Sequence, residues 1–213
     1  MSADTESRTP RIEIRPPRFL TPLAMLLVWA FGLLLAVPLI VSALVVSLYS
    51  FGSHSLILPI VAVLAATWFL PFGFGNPYIS KLVRAQRPPI NAQEQFIVQL
   101  KLTPRLATGL RAVIDDADDF GSLTFSPRAL LYEGDSVTLE IPYDSIRAVE
   151  AQSIGWRGMF LYEPRIAVKV RGLPDIDQLE FTERSSWVLP TSRKISKALH
   201  QRLSAAVPSA ARS

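Results

Sequence analysis

Two periodicities divide this chain. From Phe19 to Ser80 there is no Asp, Glu, Lys or Arg, sixty-two residues in succession. Two apolar runs lie inside that stretch, Leu20–Leu48 and Ser55–Phe74, separated by the polar, glycine-containing break YSFGSH, Tyr49–His54. A membrane pass takes about 20 apolar residues, so the pattern predicts a two-helix transmembrane hairpin over residues 20–75. The first run is longer than a straight crossing needs, and Pro38 inside it predicts a kink. Its apolar core is also too long for a signal peptide. Gly32 and Ala36, and Ala62 and Ala66, stand four apart, a spacing that lets helices approach closely.

Past the Pro-Pro segment RAQRPPINAQEQ, Arg84–Gln95, the period shortens to two. In FIVQLKL, Phe96, Val98, Leu100 and Leu102 share one face. GSLTF, VTLEI, RIAVKVR and QLEFT repeat the alternation. Turn signals separate them at Ser126-Pro127, Glu133-Gly134-Asp135, Pro142-Tyr143-Asp144 and Gly172-Leu173-Pro174-Asp175. Short alternating strands so spaced predict an antiparallel barrel or sandwich. The period then changes again. LPTSRKISKALHQRLSA aligns Ile195, Ala198, Leu199 and Leu203, predicting an amphipathic helix whose start is capped by Thr191 or Ser192. The predicted organisation is a tail at 1–19, the hairpin at 20–75, a linker at 76–95, a folded domain at 96–206 and a short tail at 207–213.

Charge adds orientation. Arg8, Arg11, Arg15 and Arg18 precede the first run, and Lys81, Arg84 and Arg87 follow the second. The loop between them has no basic residue. The positive-inside rule then places both termini in the cytoplasm, with the chain integral to a membrane, a bacterial inner membrane. The net charge of +4 on 213 residues is too mild for a nucleic-acid surface. The absence of cysteine excludes disulfides and thiolate chemistry.

The middle of the folded half carries a resemblance. GSLTFSPRALLYEGD followed by IPYDSIRAVE resembles the hairpin and next strand of bacterial pleckstrin-homology-like (PH-like) and GRAM-type domains. Gly121, Leu123, Phe125, Leu130, Tyr132, Ile141, Pro142, Ile146 and Val149 carry it, and RIAVKVRG and LEFT are similar to the last strands. It spans Phe96 to Leu203, and Thr103–Phe120 departs from it. The expected fold is therefore a membrane α-helical hairpin joined to an α+β domain, a PH-like antiparallel β-barrel or sandwich capped by a C-terminal amphipathic helix.

Candidate chemistry is sparse. Asp115, Asp116, Asp118 and Asp119 cluster in DDADDFG, but an EF-hand starting at Asp116 would need ligands where Phe120 and Pro127 stand. The cluster reads as a solvated acidic loop. His54 and His200 lack partner motifs, and no nucleophile, phosphate-loop or dinucleotide motif appears. No catalytic residue, cofactor, metal or small-molecule substrate is expected. Arg165, Lys169 and Arg171 share one strand face with Arg157 nearby, a candidate contact for anionic headgroups or a salt-paired surface. Trp187, before the last helix, is a candidate packing or partner-contact residue. The expected function is an interaction module, an adaptor or scaffold for another membrane protein or for copies of itself. The alternatives are a sensor of anionic lipid at the bilayer surface and a non-catalytic subunit of a membrane transporter or enzyme.

Overall fold

The computed structural model describes residues 9–18, 37–38, 40–49, 60–61, 76–86, 95–106, 117–152, 165–186 and 188–207. Eight strands form one antiparallel sheet: β1 (Arg11–Ile14), β2 (Gln95–Thr103), β3 (Asp119–Phe125), β4 (Ala129–Gly134), β5 (Val137–Pro142), β6 (Ile146–Gln152), β7 (Arg165–Val170) and β8 (Gln178–Glu183). Two helices accompany them, α1 (Asn76–Gln86) and α2 (Leu189–Ala206). The spatial order is β1-β5-β4-β3-β2-β8-β7-β6. Two meanders, β2 to β5 and β6 to β8, therefore meet where β2 pairs with β8, with Leu100 opposite Phe181 and Leu102 opposite Leu179.

The period of two explains the core. Val98, Leu100 and Leu102 of β2, Leu139 and Ile141 of β5, and Leu179 and Phe181 of β8 all turn to one face and are buried. Leu199 and Leu203 of α2 cover them. LEIPYDSIRAVE forms the end of β5, a 3-10 turn at Tyr143–Ser145 and the start of β6. Ser145 Oγ donates to the Pro142 carbonyl at 2.6 Å across that turn.

The membrane hairpin expected over residues 20–75 is not what the structure shows. Among the described residues no helix is long and apolar enough to cross a membrane. Residues 40–49 are helical. The remainder of both runs, apart from residues 37–38 and 60–61, lies outside the described residues, as does His54. The expected fold class and the inner-membrane location with cytoplasmic termini are corrected accordingly. The described chain is an eight-stranded sheet with its helices.

Two segments read as a tail and a linker contain structure. Arg11–Ile14 pairs with β5 as an eighth strand. Asn76–Gln86 is helical, with Pro77 in its first turn where no amide hydrogen is needed. Ile79 and Val83 of α1 pack on Ile97 and Phe120, on the face of the sheet opposite the main core.

The last helix also differs from its predicted form. It begins at Leu189 with Pro190 in the first turn, and its N-cap Val188 makes no side-chain cap bond. The buried stripe is Ser192, Ser196, Leu199 and Leu203, while Ala198 is exposed and Ile195 is only half-buried. Ser192 is in the stripe because a carboxylate on β8 requires a donor there.

Candidate protein interaction surface

The sheet has two ends. On one, β1 lies along β5 in the register Arg11–Glu140, Ile12–Leu139, Glu13–Thr138 and Ile14–Val137. On the other, β6 pairs with β7 alone among the described strands. Arg147, Glu150 and Ala151 of β6 are exposed, and Ala148 and Val149 are half-buried. α2 contacts β6 and β8, so this edge runs beside a helix. An unpaired strand edge next to a helix can accept an extended peptide through main-chain hydrogen bonds.

α2 is held in place from inside. Glu183, at the end of β8, is 2% exposed. Its carboxylate accepts hydrogen bonds from the amides of Ser185 and Ser186, at 2.5 and 3.0 Å, and from the hydroxyls of Ser185 and Ser192. The strand end, the connecting turn and the first helical turn are thus fixed by one carboxylate.

The opposite face of the sheet carries a second polar anchor. The Arg184 guanidinium donates to Gln99 Oε1 from Nε at 2.9 Å and from Nη2 at 2.5 Å, and to Asn76 Oδ1 at 3.4 Å. Asn76 in turn donates to the Ser186 carbonyl at 2.7 Å. Beside this anchor is an open cleft of about 550 Å³, lined by Pro77, Ser80, Lys81, Arg84, Ala85 and Ser185.

The predicted contact residues are not gathered into one site. Arg165 is ion-paired with Glu180 at 3.0 Å, and Lys169 with Glu150 at 2.9 Å. Lys101 joins the same network through Glu180 at 3.8 Å. Burial, followed by the nearby Arg165 charge, lowers the Lys101 pKa from its ordinary value. Arg171 is exposed beyond the end of β7, where its amide donates to the Ser145 carbonyl at 2.8 Å. Arg157 and Trp187 lie outside the described residues. His200 is half-buried on α2.

The acidic cluster is placed differently from its sequence reading. Asp118 and Asp119 are buried, at 3% and 0% exposure, and they organise backbone rather than face solvent. Asp118 Oδ2 accepts the Leu102 amide at 2.8 Å. Asp119 accepts the amides of Ser136 and Val137 at 3.1 and 2.9 Å. Asp115 and Asp116 lie outside the described residues, and among those described no group of three His, Cys, Asp or Glu is arranged to hold a metal. The signal for Asp119 was its position two residues before Gly121, at the start of a strand whose partner turn, Gly134-Asp135-Ser136, needs acceptors for its amides.

Comparison with protein-family models, with curated proteins and with solved structures gives no match for this chain.

Proposed function

We propose that this protein is a non-catalytic interaction module of the PH-like kind, an adaptor or scaffold that docks a partner protein or further copies of itself. Counted from β2, seven strands precede a C-terminal helix, and an order of strands followed by one such helix supports this reading. The observation that carries the functional reading is the edge of β6 beside α2, which pairs with no second strand among the described residues. The same sheet already takes a strand from a distant part of the chain at its other edge. The pairing of Arg165 and Lys169 with Glu180 and Glu150 reduces the charge left for headgroups, so protein docking is favoured over lipid sensing.

The test is the pair Ala148→Lys and Ala151→Lys in the full-length protein purified from its own host. Lysines on an edge strand oppose strand addition. A stoichiometric partner, or a second copy, should be lost from the doubly substituted protein while its circular dichroism and melting temperature are retained. Retention of the partner at full stoichiometry would sink the β6 docking surface.

A further inference from the structure

A long stretch of sequence separates β1 from the next described strand of the sheet. The stretch from Phe19 to Gly75, fifty-seven residues, separates Arg18 from Asn76.

The address lies in the segment itself. Ile12 packs on the main core. The Arg15 amide donates to the Ser136 carbonyl at 2.7 Å, and the Arg18 amide to Asp135 Oδ1 at 2.8 Å. The Arg15 guanidinium bridges Glu13, at 2.8 and 2.9 Å, and Thr138 Oγ1, at 3.2 Å. At the other end Pro10 lies against Gly172, in the turn between β7 and β8. The receiving turn is set up from within the sheet, since Asp119 already holds the amides of Ser136 and Val137 and the Asp135 amide donates to the Phe120 carbonyl at 3.1 Å. Residues 10–18 therefore behave as a peptide ligand with its own specificity.

That ligand is also weakly retained. β1 is four residues long, three of them exposed, with Ile14 at 57%. Short exposed edge elements open locally at low free-energy cost. A second copy of the chain carries the same ligand and the same edge, so exchange conserves every contact.

We propose that the β5 edge is an exchangeable strand-docking site, filled by residues 10–18 of its own chain or of a second copy, so that strand exchange links copies of this protein. This deepens the self-assembling form of the proposed function. The β6 substitutions leave the β5 edge untouched, so the two readings fail separately.

The absence of cysteine makes a direct test available. Arg11 and Glu140 face each other across β1 and β5. Facing residues of antiparallel strands have Cα atoms about 4.5–5.5 Å apart, within disulfide reach. Full-length chains carrying only Arg11→Cys are mixed with size-tagged chains carrying only Glu140→Cys, under mild oxidant. The heterodimeric disulfide should accumulate with time and concentration. Adding Ile12→Asp to the Arg11→Cys chain should lower its yield several-fold. A doubly substituted chain that closes internally while the mixed single variants form no heterodimer would overturn exchange and make β1 a permanent strand of its own chain. Absence of cross-linking in both would overturn docking at β5 altogether.

Discussion

At the residue scale, Asp119 is where buried charge meets backbone. Burial pushes its carboxyl up to about 6, against the pull of the Ser136, Val137 and Phe120 amides. The folded pKa lies above the ordinary value of 3.8. The folded state therefore binds the proton more readily, and this group's contribution is most favourable below about pH 4. It is lost as pH rises through about 6. Between pH 5 and pH 7.5 the loss is on the order of 1 kcal/mol. Asp119→Asn cannot titrate. Its stability relative to the parent should improve by that amount across the same interval, on top of a constant cost of about 1 kcal/mol for a weakened backbone bond. Urea melts at the two pH values measure this, and a difference independent of pH would contradict it. The Tyr132 hydroxyl beside it is fully buried. Burial first, and then the Asp119 charge, push that phenol well above its ordinary pKa.

Gly121 shows the same corner from the steric side. It faces Gly134 across β3 and β4, and a Cβ on it would stand 2.4 Å from the Glu133 carbonyl oxygen and 2.5 Å from the Gly134 Cα. Both are backbone atoms, so no rotamer change relieves the clash. Gly121→Ala should cost about 3 kcal/mol or more, read from the denaturant midpoint at unchanged slope. The alternation in GSLTF located Gly121 on the strand. The close approach to Gly134 was not legible, because it depends on which strand lies opposite.

At the scale of elements, β8 and α2 share one fastening. Removing the Glu183 carboxylate leaves the amides of Ser185 and Ser186 and the hydroxyls of Ser185 and Ser192 without their acceptor in a buried place. Glu183→Ala should cost about 2–4 kcal/mol, and amide exchange should quicken first over residues 189–196. Comparable loss of protection throughout the sheet would show that the fastening is not local. Strands β2, β3, β5, β7 and β8 were visible as alternation, whereas β4 and β6 were legible only through the resemblance. The helix α2 was visible too, but its stripe was turned, since Ser192 and Ser196 carry no apolar signal. Helix α1 was hidden by its neighbours. Ile79 lies in the uncharged run and Leu82 and Val83 follow just past its end, and nothing in sequence separates a helix packed on the back of a sheet from the apolar residues before it.

At the scale of the molecule, long-range pairing is what sequence pattern conveys least. RIEI is a four-residue alternation among arginines and prolines, too short to stand out from a tail. Its meaning comes from an edge more than one hundred residues away, where Leu139 and Val137 await an apolar partner. The edge position of β6 is a property of strand order and was equally out of reach. Arg165 and Lys169 stand on β7 and Arg171 past its end, and the neutralisation of the first two depends on Glu180 and Glu150 from the flanking strands.

The positions of β1 and α1 have one more consequence. Arg18 is fixed at the Asp135 turn and Asn76 at Ser186, both on the same sheet. Residues 19–75 are therefore an insertion within the domain, not a leader in front of it. A fragment starting at Gln95 is missing two pieces of its own architecture. It leaves the β5 backbone row unpaired and Ile97 and Phe120 uncovered, so stickiness in such a fragment would report an amputation, not a binding activity.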